Sequence, residues 1–95
     1  MDVNRYQIVS SLAGRDKGRL FIVMEIEPNF VYLVDGKLRK IESPKKKRRK
    51  HVAYAGVLGE RILAKLTSGE KVLNSEIRRA LAEFSNDNDG MPLQA

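Results

Sequence analysis

The chain has 95 residues, of which 42% are apolar, and its 18 Lys and Arg residues outnumber 12 Asp and Glu residues to give a formal net charge of +6. This length predicts one compact domain with a modest core, which is too small to enclose a deep catalytic cleft. The absence of cysteine excludes disulfide bonds and Cys-based zinc sites, and no stretch approaches the roughly 20 apolar residues of a membrane span. The first fourteen residues contain no apolar segment of signal-peptide length, so we expect a cytoplasmic protein that does not bind membranes.

Three stretches in the first third of the chain have the composition of β-strands, namely residues 7–12, 20–27 and 30–34. A loop with two glycines separates the first two stretches, and a Pro-Asn turn separates the next two. Alternation along the second stretch predicts two apolar faces, one formed by Ile22, Met24 and Ile26 and the other by Phe21 and Val23.

The third stretch leads into a predicted β-hairpin. Asp35-Gly36 joins it to Lys37–Ile41, and an Asp-Gly pair between two strand-like runs favours a tight turn with positive φ. We therefore expect Lys37–Ile41 to be the fourth strand. Ser43-Pro44 ends it, the basic residues 45–50 then form a mobile linker, and residues 51–54 supply a short closing strand.

The apolar spacing becomes helical after Gly56. Leu58, Ile62 and Leu66 recur at intervals of four, which predicts a first helix whose start is delayed by Gly59 and which ends at Gly69.

A second helix is predicted from Asn74, as N-cap, to residue 84. Glu76 lies in the first turn, where a negative charge interacts favourably with the helix dipole. The apolar stripe of this helix consists of Ile77, Leu81 and Phe84. Residues 85–95 have little apolar surface to bury, and we expect them to be a disordered tail.

Four or five short strands followed by two helices predict a mainly β fold, in which a small closed barrel carries the helices on an outer apolar patch. The expected domain boundaries are residues 5–55 for the barrel, which includes the basic segment 37–51, and residues 56–84 for the helical extension packed on it.

Half of the positive charge lies in a single segment. Lys37–His51 holds nine of the 18 basic residues against one acid, Glu42. Such a block repels itself and requires either an anionic partner or a solvated setting, and a phosphate backbone is the simplest partner. Because no aromatic residue is interleaved in the run 45–50, we expect it to bind phosphates without reading bases. A solubilising surface and a localisation signal are the alternatives.

A second basic cluster occupies the loop between the first two strands. The segment Val9–Val23, VSSLAGRDKGRLFIV, resembles the KOW motif of ribosomal proteins and transcription elongation factors. Gly18 matches the motif glycine, and its usual surroundings are matched by Gly14, Arg15, Asp16, Lys17 and Arg19. Many KOW motifs have a second glycine three residues after the first, where this chain has Phe21.

The wider resemblance is to large-subunit ribosomal proteins of the fourteen-e type and to short bacterial KOW-domain proteins similar to them. It covers residues 5–84 and includes the hairpin FVYLVDGKLRK, the lysine-rich run and the ending NSEIRRALAEF. The resemblance implies an SH3-like barrel of four or five strands plus two α-helices, and it implies RNA binding rather than catalysis.

We therefore expect a non-catalytic protein that binds ribosomal RNA as a ribosomal or ribosome-associated protein, without cofactor, metal or small-molecule substrate, and as a monomer when free. The alternative is a KOW module that binds proteins linked to transcription or translation. The predicted RNA-binding residues are Arg15, Lys17, Gly18, Arg19, Lys37, Arg39, Lys40, Lys45, Lys46, Lys47, Arg48, Arg49 and Lys50.

No constellation of residues points to catalysis. His51 is the single histidine and adjoins six consecutive basic residues, a setting that suits neither a metal ligand nor a general base, and Ser10-Ser11 has no paired base. Tyr32 lies in an apolar stretch and is expected in the core, while Tyr6 and Tyr54 are expected to pack rather than to stack on bases.

Overall fold

A computed structural model describes residues 2–89 of the chain. Five antiparallel strands form one sheet in the spatial order β4-β3-β2-β1-β5, and two helices follow the strands. The mainly β fold with two C-terminal helices is confirmed. The elements are β1 (Ile8–Ser11), β2 (Leu20–Ile26), β3 (Phe30–Val34), β4 (Lys45–Arg48), a 3-10 helix (Arg49–His51), β5 (Val52–Gly56), α1 (Glu60–Ser68) and α2 (Asn74–Asp89).

The sheet coils around an inner apolar cluster to which four of the five strands contribute. Phe21 and Val23 of β2 are at most 1% exposed in it. Since the inward faces of these strands bury one another, the sheet is a small barrel-like structure rather than a flat layer. The cluster consists of Val3, Val9, Phe21, Val23, Val31, Leu33 and Val52.

The helices cover a second apolar cluster on the outside of the barrel, as the sequence predicts. Leu66 of α1 and two apolar residues of α2 pack against outward-facing residues of β1, β2 and β3. These strands are therefore buried on both faces. The cluster consists of Ile8, Ile22, Val34, Leu58, Leu66, Ile77 and Leu81, with Phe84 packed at its edge.

One residue of β2 lies on the face opposite to the predicted one. The register between β2 and β3 shifts between Val23 and Glu25, which marks a β-bulge. The extra residue reverses the alternation of side chains that follow it. Ile26 therefore packs against the inner cluster, whereas Ile22 belongs to the outer one.

The predicted fourth strand at Lys37–Ile41 is wrong. Asp35 Oδ1 accepts hydrogen bonds of 2.9 Å from the N–H groups of Lys37 and Arg39, and the Asp35 N–H donates to the Arg39 carbonyl at 2.9 Å. The Asp-Gly pair does produce positive φ, since Gly36 has φ 75°. The side chain of Asp35, however, closes residues 35–39 into a compact loop instead of a hairpin turn.

The partner of β3 is the lysine-rich run itself. Leu33 lies opposite Lys45 and Phe30 lies opposite Arg48, so β4 is an edge strand of the sheet. The expectation of a mobile linker at this position is therefore wrong. Lysines are common on edge strands because their charge opposes pairing with other chains.

The first helix begins and ends where the sequence predicts. It follows Gly59, and Gly69 at its C-terminal end has φ 80°, with its N–H bonded to the carbonyl of Leu66 at 3.4 Å. The second helix begins at the expected place with a different cap. Glu76 Oε1 accepts the Leu73 N–H at 2.9 Å, and the Leu73 carbonyl accepts the N–H groups of Glu76 at 2.9 Å and of Ile77 at 3.2 Å.

The expected N-cap residue holds a neighbouring loop instead. Asn74 Oδ1 accepts the N–H of Ile41 at 2.8 Å, and its Nδ2 donates to Glu42 at 2.9 Å. This side chain therefore ties the loop after β3 to the start of α2.

The end of α2 lies further along the chain than expected. The helix continues through Asp89, so residues 85–89 are helical rather than part of a tail. Extending an existing helix adds one backbone hydrogen bond for each residue that is fixed, so polar residues can continue it beyond its packed part. The rest of the predicted tail, residues 90–95, lies outside the described residues.

Candidate nucleic-acid interface

The loop between β1 and β2, residues 12–19, is a compact turn held by its own backbone. The Gly18 N–H donates to the Ser11 carbonyl at 2.8 Å, and the Arg19 N–H donates to the Asp16 carbonyl at 2.8 Å. Gly18 has φ 87°, and within the described chain no atom lies within 4 Å of where its Cβ would be. The glycine is thus required for its backbone conformation rather than for close packing.

This loop contacts β4, so the two basic clusters of the sequence meet. Lys45 Nζ forms an ion pair with the carboxylate of Asp16, and Lys47 Nζ donates to the Ala13 carbonyl at 2.9 Å. Both lysines lie on the face of β4 that continues from the inner side of β3, and they reach across the barrel opening to the loop. The clusters therefore form one continuous basic surface rather than two independent ones.

Asp16 is ionised within this contact. The pKa of its carboxyl lies below the ordinary value, first because Lys45 donates a hydrogen bond to it and then because of the positive charges of Lys45, Lys47 and Arg19. Burial opposes this shift without reversing it. One acid thus neutralises part of the positive charge that the sequence assigns to RNA binding.

A second internal ion pair joins the β1–β2 loop to the loop after β3. Arg19 Nη2 lies 3.1 Å from Asp35 Oδ2, and Asp35 is only 7% exposed. Arg19 therefore holds the two loops together, and its charge is balanced by a buried carboxylate. Sequence analysis missed Asp35, although an Asp that precedes Gly signals side-chain capping as well as a hairpin.

The outward face of β4 differs from its inward face. Lys46 and Arg48 are exposed, and their cross-strand neighbours on β3 are Tyr32 and Phe30. Lys46 Nζ lies 4.4 Å from the ring centroid of Phe30 and 6.0 Å from that of Tyr32, while Arg48 Cζ lies 5.5 Å from the Phe30 centroid. Aromatic and basic side chains thus alternate across two strands.

At this face the core placement of Tyr32 is wrong, while the expectation that the basic run binds phosphates without reading bases stays a prediction. The basic run has no aromatic residue within it, but strand pairing interleaves it with the rings of β3. Tyr32 is half-buried, and among the described residues neither it nor Phe30 belongs to an apolar core cluster. The alternation of Phe30 and Tyr32 with buried residues was visible in the sequence, but its significance depended on knowing which strand pairs with β3.

The basic surface ends in an open depression of about 610 Å³ beside the 3-10 helix. The Arg49 N–H donates to the Asn29 carbonyl at 2.9 Å, and its guanidinium makes long hydrogen bonds of 3.4 Å to the carbonyls of Glu27 and Pro28. Arg49 therefore fixes the turn between β2 and β3. Arg48 and Lys50 line the same depression.

The remaining predicted RNA-binding residues are exposed on loops. Arg15 and Lys17 lie on the β1–β2 loop, and Lys37, Arg39 and Lys40 lie on the loop after β3. Within residues 2–89 their side chains make no hydrogen bond or ion pair. They are the cations best placed to meet an external anion.

The described residues, 2–89, also bear on a candidate hydroxyl nucleophile and on metal binding. Ser11 is buried and its Oγ donates to the Ala13 carbonyl at 3.0 Å, which is a structural role. In this range no three acidic, His or Cys side chains are grouped to hold a metal ion. Nor is any helix of the range both long and apolar enough to cross a membrane.

Comparison with known proteins found no family model and no curated protein that matches the chain.

Proposed function

We propose that this protein is a non-catalytic RNA-binding protein that binds ribosomal RNA, as part of the ribosome or in association with it. The observation that carries the proposal is the contact between the β1–β2 loop and β4, made by Lys45 with Asp16 and by Lys47 with Ala13. Through this contact, two basic segments become one surface of defined shape, since the contacting residues are 29 and 34 positions apart in the sequence. Folded RNA is recognised largely by such a match between shape and phosphate positions.

The charges divide into two groups with different roles. Arg19, Lys45 and Lys47 are engaged with acceptors of this chain, so they shape the surface. The exposed cations are available for phosphates, and they include Arg15, Lys17, Lys37, Arg39, Lys40, Lys46, Arg48 and Lys50. Each phosphate that such a residue neutralises releases counterions, which favours binding at low salt.

The resemblance to KOW-domain proteins supports ribosomal RNA over other RNA. The KOW-like glycine, Gly18, adopts the left-handed conformation that a tight basic loop between two strands requires. The five-stranded antiparallel sheet followed by two helices also supports the proposal.

The proposal is tested by ultraviolet crosslinking of the full-length chain in its host cell, followed by sequencing of the recovered RNA. We expect recovery of one defined region of ribosomal RNA, and we expect that Arg15→Gln combined with Lys17→Gln reduces it. Diffuse recovery of messenger RNA would contradict the ribosomal assignment. Recovery of no RNA would contradict RNA binding and favour the alternative of a protein-binding KOW module.

A further inference from the structure

The outward face of β3 and β4, which we call the ring face, is defined by Phe30, Tyr32, Lys46 and Arg48. It is part of the surface to which RNA binding is assigned, since Lys46 and Arg48 are among the exposed cations, and its two rings belong to neither core cluster of the described chain. We propose that the ring face binds an unpaired segment of RNA, with bases stacked on Phe30 and Tyr32 and phosphates held by Lys46 and Arg48. This inference rests on the proposed function and names the form of RNA that this part of the surface takes.

The geometry of the strand favours separated bases over a continuous helical stack. Phe30 and Tyr32 are two residues apart on one face of β3, which places them about 6.7 Å apart along the strand. Bases stacked in a helix follow one another at about 3.4 Å. One base on each ring therefore requires a splayed, single-stranded segment, which is the form that aromatic residues of RNA-binding proteins recognise.

The cations are placed where the backbone of such a segment would pass. Lys46 Nζ lies near both rings, 4.4 Å from the centroid of Phe30 and 6.0 Å from that of Tyr32. Exposed cation–π contacts are weak, and the lysine side chain is long and mobile in water, so a base can replace the ammonium group on the ring. The displaced ammonium remains within reach of the phosphate that links the two bases.

The ring face is continuous with the depression beside the 3-10 helix. Arg48, which lies over Phe30, also lines that depression together with Arg49 and Lys50. The segment can therefore extend from the rings into this open depression of about 610 Å³, where three cations outnumber one acid, Asp2, and can meet the next phosphate. The contact between the ring face and the depression therefore gives the path of the RNA segment.

Protection of the sheet edge is the competing explanation. Charged residues on β4 would prevent pairing with another chain, and this explains Lys46 and Arg48 without any ligand. It does not explain why two aromatic rings, rather than small polar residues, occupy the outward positions of β3 beside them. The two explanations differ in what happens when a ring is replaced by an aliphatic side chain.

The test measures the affinity of the full-length chain for three RNAs of one length, about 10 nucleotides, which is within the site sizes of small barrels. The first is single-stranded, the second is the same sequence in a duplex, and the third is an abasic strand that retains every phosphate. The variants are Phe30→Leu and Tyr32→Leu, with Phe30→Tyr as the matched control that keeps a ring. Thermal unfolding establishes that each variant is folded.

We expect each leucine variant to weaken binding of the single strand by about 5- to 150-fold, the range measured for loss of one stacked base. Phe30→Tyr should bind as the wild type does. Affinity for the duplex and for the abasic strand should change less than about twofold in every variant, because neither presents an unpaired base.

Two results would overturn this inference and leave the proposed function intact. One is equal weakening of the abasic and natural strands by the leucine variants, which would make the rings structural. The other is equal affinity of the wild-type chain for the abasic strand and for the natural strand. This comparison needs no variant. If none of the three RNAs binds while crosslinking still recovers ribosomal RNA, the inference fails and the proposed function stands. If crosslinking also recovers no RNA, both fail, so the two failures are distinguishable.

Discussion

Arg78 donates a hydrogen bond of 2.6 Å to the carbonyl of Gly36, which links the second helix to the loop after β3. The backbones approach closely at this point, since a Cβ on Gly36 would lie 3.0 Å from Arg78 Cγ and closer still to the carbonyl of Asn74. Asn74 holds the same loop through Ile41. The helical extension therefore positions the exposed basic residues of this loop.

The first prediction concerns this close approach. Gly36→Ala should lower the free energy of unfolding by about 2–3 kcal/mol, because alanine meets both an unfavourable φ of 75° and the backbone of α2. Gly18→Ala is the matched control, since Gly18 also has positive φ but faces open space within the described chain, and it should cost about 1 kcal/mol. Urea unfolding measures both values. Equal destabilisation of the two variants would show that the approach to α2 contributes nothing.

The second prediction concerns the two faces of β4. Lys46→Gln combined with Arg48→Gln should weaken RNA binding and reduce the slope of log affinity against log salt by about 0.7–0.9 for each phosphate that is no longer neutralised. Lys45→Gln combined with Lys47→Gln removes the same charge from the same strand, but these residues are engaged with Asp16 and Ala13. This second variant should change the slope less and lower stability more. Identical salt slopes for the two variants would contradict the division of roles.

The third prediction concerns the pH dependence of stability. The pKa of the Asp16 carboxyl is lowered in the folded chain, chiefly by its hydrogen bond from Lys45. A lowered pKa contributes stability above the unfolded value of about 3.9, and that contribution is lost as pH falls through the lower folded value. Asp16→Asn should therefore be less stable than the wild type at neutral pH, by up to about 1 kcal/mol, and the difference should shrink on acidification.

Urea midpoints measured at a series of pH values check this prediction. In the background Lys45→Gln, the effect of Asp16→Asn should be much smaller, because the principal partner is already absent. Destabilisation by Asp16→Asn that stays constant down to strongly acidic pH would mean that the side chain acts through packing rather than through its charge.

The fourth prediction concerns the anchoring of α2. The ring of Phe84 packs against Gly56 at the end of β5, where a Cβ on the glycine would lie 2.6 Å from Phe84 Cζ. Phe84→Ala should lower the free energy of unfolding by about 2–3 kcal/mol, since the ring is half-buried at the edge of the outer cluster. Glu83→Ala, on the exposed side of the same helix, should change stability by less than about 0.5 kcal/mol.

Calorimetry measures the Phe84 effect, and RNA affinity measured below the melting temperature provides the second observable. Affinity should be retained while Phe84→Ala is folded. If this variant keeps its stability and no longer binds RNA, α2 contacts the ligand directly, and the ring serves recognition rather than the outer cluster.

Local patterns in the sequence were enough to predict much of the secondary structure. The strand of Phe30–Val34 and the two helices follow from apolar spacing, because periods of two and of about 3.6 residues are properties of the local chain. The positive φ of Gly18 and Gly69 follows from their places in a basic turn and at a helix end. The concentration of positive charge in the first half of the chain likewise needs no structure to be seen.

Tertiary structure decided which basic segment pairs with β3. Lys37–Ile41 and Lys45–Arg48 are both short, basic and close to β3 in sequence, so strand propensity does not separate them. Asp35 determines which segment pairs with β3. Its side chain closes the nearer segment into a loop, and its carboxylate pairs with Arg19 from another loop. Pairing across strands then placed alternate basic residues against an acid on one side and aromatic rings on the other, because side-chain direction in a strand is defined only once its partner and register are set.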